Sequence, residues 1–207
     1  MQQLSIDNAA FTISQAGLSL RLIPQFLTHS TADSLLEQLI KTSPWQQPKL
    51  KVYGKWHPTP RLLCFYANHA LNYKYSNASH QAHAWTPQLL DLKQRIQTQT
   101  AHQYNSVLLN YYRDGHDTMG WHADDEPELG HQPNIASLTL GAERDIFFKP
   151  KTGATKPIKL SLPSGSLLIM QDDTQKHWLH HIPKRLRCKQ ARINLTFRMV
   201  YPQQSDC

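Results

Sequence analysis

The chain has 207 residues, of which 40% are hydrophobic and 18% charged, and its formal net charge at pH 7 is +7. This composition is ordinary for a globular protein, and no apolar run approaches the roughly 18 residues that a membrane helix needs. We therefore expect a single domain over residues 1–207, with one core and no membrane partner.

The first ten residues, MQQLSIDNAA, contain neither a basic region nor an apolar run of the kind found in secretory signals. The three cysteines lack metal-finger spacing and do not suggest a disulfide framework. We therefore expect an intracellular protein, in the cytoplasm if it is bacterial and in the nucleus if it is eukaryotic. We also expect it to be a monomer.

Two amphipathic helices are predicted in the first half of the chain. In STADSLLEQLIKTS, Ser30 or Thr31 can cap a helix whose apolar residues recur at helical spacing. In TPQLLDLKQRIQTQT, Thr86 can act as the N-cap and Pro87 suits the first helical position.

The segment between these helices is basic and aromatic. It has no acid between Glu37 and Asp91, and a second acid-free, basic stretch covers residues 174–205. Both stretches give mild support for a polyanionic partner. For an aromatic residue without an assigned role, core packing is the more frequent outcome. On that basis we assign three tryptophans to the core: Trp45, Trp56 and Trp85.

After residue 104 the sequence becomes a series of short β-type runs, separated by turn signals such as RDG, KTG and LPSG. The predicted strands cover residues 106–112, 135–140, 145–148, 158–162, 166–170 and 192–201. Many short strands without intervening helices favour an antiparallel sandwich or jelly roll over a parallel sheet. We therefore predict an α+β fold in which helices and strands share one core.

One short segment, GWHADDEPELG, places a histidine two residues before an aspartate. On extended backbone His122 and Asp124 point to the same face, so both could bind one ion. The segment HWLHHIPK offers His177, His180 and His181 as a third ligand. Two histidines and one carboxylate leave open positions, as in non-haem Fe(II) oxygenases. The alternative interpretation is a surface histidine beside solvated acids.

In RINLTFR every second residue is polar. If the segment is a strand, Arg192, Asn194, Thr196 and Arg198 share one face and the apolar residues share the other. The polar face could lie in solvent. On the buried side of a sheet, however, two arginines would need anionic partners, and a dicarboxylate would provide them.

Five motifs together resemble the AlkB family of Fe(II)- and 2-oxoglutarate-dependent dealkylating dioxygenases. In chain order they are SVLLNYYRDGHDTMGWHADDEPELG, IASLTLGAERDIFF, LPSGSLLIM, HWLHHIPK and RINLTFRMVYP. The resemblance covers roughly residues 50 to 202 and is closest to the eukaryotic-type homologues that repair alkylated DNA.

This resemblance implies a fold, cofactors and a reaction. It implies a jelly-roll double-stranded β-helix over about residues 104–202, supporting N-terminal helices, and a nucleotide-recognition lid over about residues 45–85. It implies Fe(II), 2-oxoglutarate as cosubstrate and O2. The implied reaction is oxidative demethylation of bases such as 1-methyladenine and 3-methylcytosine in DNA, with RNA as the alternative polymer, and it releases formaldehyde.

The resemblance also assigns roles to particular residues. His122 and Asp124 match two iron ligands, and His180 matches the third because it stands three residues before the proline. The positions that match 2-oxoglutarate contacts are Asn110, Tyr112, Arg192, Asn194, Thr196 and Arg198.

Substrate contacts are implied in the lid and next to the iron ligands. In the lid, Tyr53 matches an intercalating finger residue that fills the gap left by a flipped base. The remaining implied contacts are Gly54 and Lys55 beside the finger, Tyr73 and Tyr75 near the flipped base, and the acids Asp125 and Glu126. The segment PKRLRCKQAR matches a basic loop that contacts the opposite DNA strand, and a solvated hairpin tip is the alternative.

Two other functions remain open at this point. One is a 2-oxoglutarate-dependent hydroxylase of a protein or small molecule, with the same triad and a different lid. The other is a non-catalytic nucleic-acid binding module, which would bind with a steep salt dependence and form no succinate.

The finger assignment generates a prediction. Tyr53→Ala should reduce activity on methylated duplex DNA more than on the same lesion in a single strand, because only the duplex leaves a gap to fill. Initial rates on the two substrates measure this. An equal loss on both would reject the finger role. Tyr53 stands where the duplex-specialised homologue has phenylalanine, so the preference between the two substrates is itself open.

Overall fold

The structure is a computed structural model that describes residues 9–52, 54–68, 73–75, 78–80, 82–153 and 156–201. The helices are α1 (His29–Thr42), α2 (Pro87–Thr100) and α3 (Thr174–His177). The strands are β1 (Phe11–Gln15), β2 (Leu18–Ile23), β3 (Lys49–Val52), β4 (Lys55–Pro58), β5 (Leu62–Ala67), β6 (Tyr73–Tyr75), β7 (Ala78–His80), β8 (Ser106–Tyr112), β9 (Met119–His122), β10 (Ile135–Gly141), β11 (Arg144–Pro150), β12 (Ile158–Leu162), β13 (Leu167–Gln171), β14 (Trp178–Ile182) and β15 (Arg192–Arg198).

Two antiparallel sheets form the body of the fold. The major sheet has the strand order β1-β2-β13-β10-β15-β8-β5, and the minor sheet has the order β12-β11-β14-β9. Every pairing described within them is antiparallel. The hairpins β3-β4 and β6-β7 stand apart from both sheets. The predicted α+β jelly roll is therefore confirmed.

The major sheet divides the apolar interior into two layers. One layer lies between the sheets, where Leu168 of β13 packs with Phe148 of β11 and Ile182 of β14. The other lies between the major sheet and the helices, where Ile96 of α2 packs with Phe197 of β15. Helices and strands share the second layer, and β15, which is buried along its whole length, lies between the two layers.

The helix caps agree only in part with the sequence prediction. For α2, the Thr86 hydroxyl accepts a hydrogen bond from the Leu89 N–H at 3.3 Å, as predicted. The N-cap of α1 is Thr28, not Ser30 or Thr31, and its hydroxyl accepts from the Thr31 N–H at 3.3 Å. Nearby hydroxyls are chemically equivalent as caps, so the sequence could not select among them.

The predicted strands are present with small shifts at their ends. The last one ends at Arg198 and not at residue 201, and the sequence prediction missed β1, β2, β9 and β14. Trp45 and Trp85 pack against the outer apolar layer as expected. Trp56 was wrongly assigned to the core: it is 65% exposed, because it lies on the exposed hairpin strand β4. None of the helices in the described ranges is long and apolar enough to cross a membrane.

The turn before β13 generates a stability prediction. Gly165 has a φ of +81°, and a Cβ there would lie 2.5 Å from the Leu27 carbonyl oxygen. The Leu27 N–H donates to the Gly165 carbonyl at 3.0 Å, so the two segments cannot easily separate. We expect Gly165→Ala to lower the free energy of unfolding by about 2 kcal/mol or more.

Gly153→Ala is the matched control, because Gly153 has a φ of +91° and nothing within 4 Å of the added Cβ. It should cost only the conformational term of about 1 kcal/mol. Urea unfolding followed by circular dichroism measures both variants. Equal losses would show that the Leu27 contact is unimportant.

Candidate metal and cosubstrate site

The edge of the minor sheet brings two distant histidines together. His122 at the end of β9 stands opposite His180 on β14, and Met119 stands opposite Ile182. The register shifts between these two pairs, which indicates a β-bulge. Because of the bulge, both Met119 and His122 line the inner cavity although they are three residues apart.

His122, Asp124 and His180 form a group that could hold a metal ion. One ligand atom from each lies within 4.8 Å of the others, and Asp124 is only 1% exposed. The Nδ1 atom of His122 lies 2.9 Å from the Gly120 carbonyl, so a proton there leaves Nε2 free as a ligand. Of the three candidate histidines, His180 is the one that joins this group.

The electrostatics of the site keep the ligand atoms available. Burial lowers the pKa of His180 to about 3, so its imidazole is neutral near pH 7. Burial also lowers the pKa of His122. Burial opposes ionisation of Asp124, but the nearby positive charges, with Arg198 contributing most, and the Arg198 hydrogen bond together outweigh that effect and lower the pKa. Two neutral imidazoles and one carboxylate are the forms that bind a divalent metal.

Asp124 is held at both its side chain and its backbone. Arg198 Nη2 donates to Asp124 Oδ1 at 2.6 Å, and both side chains are buried. The Asp124 N–H donates to Gln175 Oε1 at 2.9 Å, and Gln175 lies at the buried base of α3. Gln175 could not be predicted from the sequence, because this contact joins positions 51 residues apart and no motif marks it.

The polar residues of β15 share one face, as the sequence pattern predicted, and the structure places that face in the lining of the same cavity. Arg192, Asn194, Thr196 and Arg198 point inward, while Ile193, Leu195 and Phe197 pack in the layer beneath the helices. On the neighbouring strand β8, Asn110 stands opposite Asn194 and Tyr112 opposite Arg192.

Arg192 provides the test of whether these residues fit a dicarboxylate. It is 1% exposed, and its Nη2 donates to Thr139 Oγ1 at 3.0 Å and to Asn194 Oδ1 at 2.8 Å. Within the described part of the chain, its Nε and Nη1 have no hydrogen-bond partner. Buried donors of this kind normally have an acceptor, and a carboxylate is the acceptor that matches a guanidinium. Burial lowers the Arg192 pKa to about 10, so the group still carries its charge near pH 7.

Two further buried arginines escaped the sequence analysis. Arg61 Nε donates to Asn110 Oδ1 at 2.7 Å, so Arg61 orients one of the cavity amides. Arg144 donates to three backbone carbonyls, those of Asp114, Asp117 and Pro183. The sequence around Arg61 and Arg144 does not indicate that these arginines are buried, because their partners are distant in the chain.

The acids after the metal group lie outside the cavity lining. The Asp125 carboxylate accepts a hydrogen bond from Lys151 Nζ at 2.7 Å, and its side chain is 54% exposed. Burial, with the negative charge of Asp124 adding to it, raises the pKa of Glu126 to about 6. Glu126 Oε2 is buried and has no partner among the described residues.

The predicted lid residues are described only in part. Gly54 and Lys55 are exposed at the tip of the β3-β4 hairpin. Tyr53 lies outside the described residues. For Tyr73 and Tyr75 the structure gives the backbone, in β6 paired with β7.

Fold and site together define a class of protein, the oxygenases that use Fe(II) and 2-oxoglutarate. Residues 19–198 match the family model of the 2OG-Fe(II) oxygenase superfamily. Alpha-ketoglutarate-dependent dioxygenase alkB homolog 3 of Mus musculus is 41% identical over 201 residues, which cover 92% of this chain and 70% of that protein. DNA oxidative demethylase ALKBH2 of Mus musculus is 38% identical over 174 residues, 81% of this chain and 73% of that protein.

The chain therefore belongs to the AlkB family of Fe(II)- and 2-oxoglutarate-dependent dioxygenases, as its motifs indicated. A solved structure of OsALKBH1 superposes with a TM-score of 0.59 at 16% identity. It covers 91% of this chain and 99% of that one, and it supports the fold alone.

The unpaired donors of Arg192 generate a prediction. In the absence of 2-oxoglutarate, Arg192→Met should leave the free energy of unfolding unchanged or raise it by up to about 2 kcal/mol, because it removes a buried charge with unsatisfied donors. The same variant should lose the rise in Tm that 2-oxoglutarate gives the wild type.

Arg144→Met is the matched control, because Arg144 is equally buried but bonded to carbonyls. We expect it to lose about 3 kcal/mol of stability. Urea unfolding and thermal melts with 2-oxoglutarate and Mn(II) provide both measurements. An Arg192→Met variant that is destabilised and still responds to 2-oxoglutarate would contradict the assignment.

Proposed function

We propose that this protein removes methyl groups oxidatively from N-alkylated bases, such as 1-methyladenine and 3-methylcytosine, in DNA. The observation that carries the proposal is the single cavity that joins His122, Asp124 and His180 to the unsatisfied donors of Arg192. We propose RNA as a second substrate to be tested. We also propose that the protein is a monomer and acts inside the cell. The relatives named as DNA oxidative demethylases support the choice of substrate.

The residues present fit the two groups that the family uses. His122, Asp124 and His180 would hold Fe(II), and Arg192 and Arg198, with Asn110, Tyr112, Asn194 and Thr196, would hold 2-oxoglutarate. When bound, iron and 2-oxoglutarate supply the oxidation of an N-methyl carbon by O2, coupled to conversion of the cosubstrate to succinate and carbon dioxide. The hydroxylated carbon then leaves the nitrogen as formaldehyde, and the nitrogen regains its proton or lone pair.

The protein's own side chains orient the metal ligands and the cosubstrate. The Arg198 guanidinium fixes the Asp124 carboxylate through its Oδ1 atom. The neutral imidazole of His180 offers a lone pair without first losing a proton. The Arg192 guanidinium would bind a carboxylate of the cosubstrate and so would fix its orientation in the cavity.

Nucleic acid is the partner that fits the surface. The net charge is +7, and every residue of β4, which includes Lys55, Trp56 and His57, is exposed. An enzyme that oxidises a methyl group inside a base stack must extrude the base. In this proposal Tyr53 fills the gap, Tyr73 and Tyr75 contact the flipped base, and Asp125 and Glu126 attract its positive charge.

The ligand assignment generates a prediction. His122→Ala, Asp124→Ala and His180→Ala should each lower turnover by more than the roughly 100-fold that loss of a residue supporting a metal ligand can cause. His177→Ala is the matched control, because it lies in the same segment with its side chain 48% exposed and should keep full activity.

The assay uses single- and double-stranded DNA and RNA oligonucleotides that carry 1-methyladenine or 3-methylcytosine. Loss of one methyl mass and release of formaldehyde are followed with and without iron and 2-oxoglutarate. Iron-dependent formaldehyde release by any triad variant would overturn the ligand set. If methylated and unmethylated oligonucleotides stimulate 2-oxoglutarate consumption equally, a hydroxylase of another substrate is the better explanation.

A further inference from the structure

The outer face of the minor sheet carries four side chains that the proposed function does not use. They are Trp121 of β9, Phe147 and Lys149 of β11, and His181 of β14, and we call them the outer patch. The Phe147 and His181 positions are paired in register, and their rings are 5.3 Å apart. The patch is therefore continuous across three neighbouring strands.

The indole of Trp121 is held in place and still exposed. Its ring stacks on His181 with the ring centres 3.9 Å apart and the planes inclined by 24°. Lys149 Nζ lies 4.5 Å from the centre of the indole ring. Despite these two contacts Trp121 remains 37% exposed. The indole is therefore fixed in position while part of it remains in contact with solvent.

The position of the patch connects it to the metal group. Trp121 precedes His122, and His181 follows His180, so each pair of neighbours serves opposite faces of the minor sheet. β9 is also the edge strand of that sheet. A nucleic acid strand that places one base at the inner face of this edge can place its next nucleotides at the outer patch.

Lys149 differs from the lysines around it because it has no carboxylate partner among the described residues. Lys151 pairs with Asp125 at 2.7 Å, and Lys159 pairs with Asp145 at 3.3 Å. No carboxylate among the residues that the structure describes lies within 4 Å of Lys149 Nζ. Its charge is available to a phosphate, while the charges of the other two are already compensated.

We propose that the outer patch binds a nucleotide that flanks the lesion on a single strand. The base stacks on the exposed indole of Trp121 in the place that Lys149 Nζ holds over the ring, and the Lys149 ammonium moves from the ring to the phosphate. Aromatic rings beside uncompensated cations are the combination with which proteins bind single strands without reading their sequence. This inference rests on the proposed function, since it assumes that the chain acts on nucleic acid.

The test measures binding and catalysis separately. Trp121→Ala should raise the KM for a methylated single-stranded oligonucleotide about tenfold, with kcat unchanged, because one base stack is lost. Trp121→Phe should recover most of the affinity. Lys149→Ala should reduce the slope of log Kd against log salt by about 0.7, the value for one phosphate contact on a single strand. Lys159→Ala is the matched control and should leave the slope unchanged.

Three outcomes would overturn the inference. If Trp121→Ala lowers kcat and weakens Mn(II) binding, the indole only supports the metal group. If neither Trp121→Ala nor Lys149→Ala changes oligonucleotide binding, the patch serves another partner, such as a protein. If Trp121→Phe is as defective as Trp121→Ala while both melt at the wild-type Tm, stacking is not the interaction. Binding is also measured with unmethylated oligonucleotide, so failure of the demethylase proposal would be recognised independently.

Discussion

The buried ion pair between Arg198 and Asp124 is the interaction on which the site depends. It joins the interior strand β15 of the major sheet to the segment after β9 of the minor sheet, at 2.6 Å and almost without solvent contact. Taking two charges out of water is expensive unless further partners compensate them. Here a cation held by Asp124 with His122 and His180 would be such a partner, and the hydrogen bond from the Asp124 N–H to Gln175 Oε1 holds the backbone of the pair in place. The pair therefore brings the two sheets together at the point where the ligand atoms converge.

Charge balance explains why a metal and a dicarboxylate suit the same cavity. The charged side chains in its lining are Asp124, Arg192 and Arg198, so their sum is positive before anything binds. A divalent cation alone would increase that positive charge within a poorly solvated space. A dicarboxylate of charge −2 cancels the added charge and also satisfies the free donors of Arg192. Each ligand thus makes the other more favourable, without any conformational change being required.

Part of this site could be predicted from the sequence, because the residues concerned are only two positions apart along the chain. The alternation along β15 correctly predicted which of its residues share a face, and the spacing of His122 and Asp124 indicated two members of the group that could hold a metal ion. The choice of His180 required the family resemblance, because three histidines lie within five positions. Gln175 and Arg61 were missed because their contacts join positions 51 and 49 residues apart. Trp56 was misplaced because composition does not distinguish an exposed hairpin from the core.

The register between β9 and β14 determines which side chains lie on the inner face of the minor sheet and which lie on its outer face. Successive residues of a strand face opposite sides, so the pairing that places His122 and His180 inside also places Trp121 and His181 outside. The bulge after Met119 determines which residues of β9 face inward. Without the extra residue, Met119 and His122 could not both point inward. The Thr118 hydroxyl donates to the Ile182 carbonyl beside the bulge and helps to hold the register there. A shift of one residue would exchange the faces, leaving imidazoles in solvent and an indole against the carboxylate. The inner metal group and the outer aromatic surface therefore have the same structural origin.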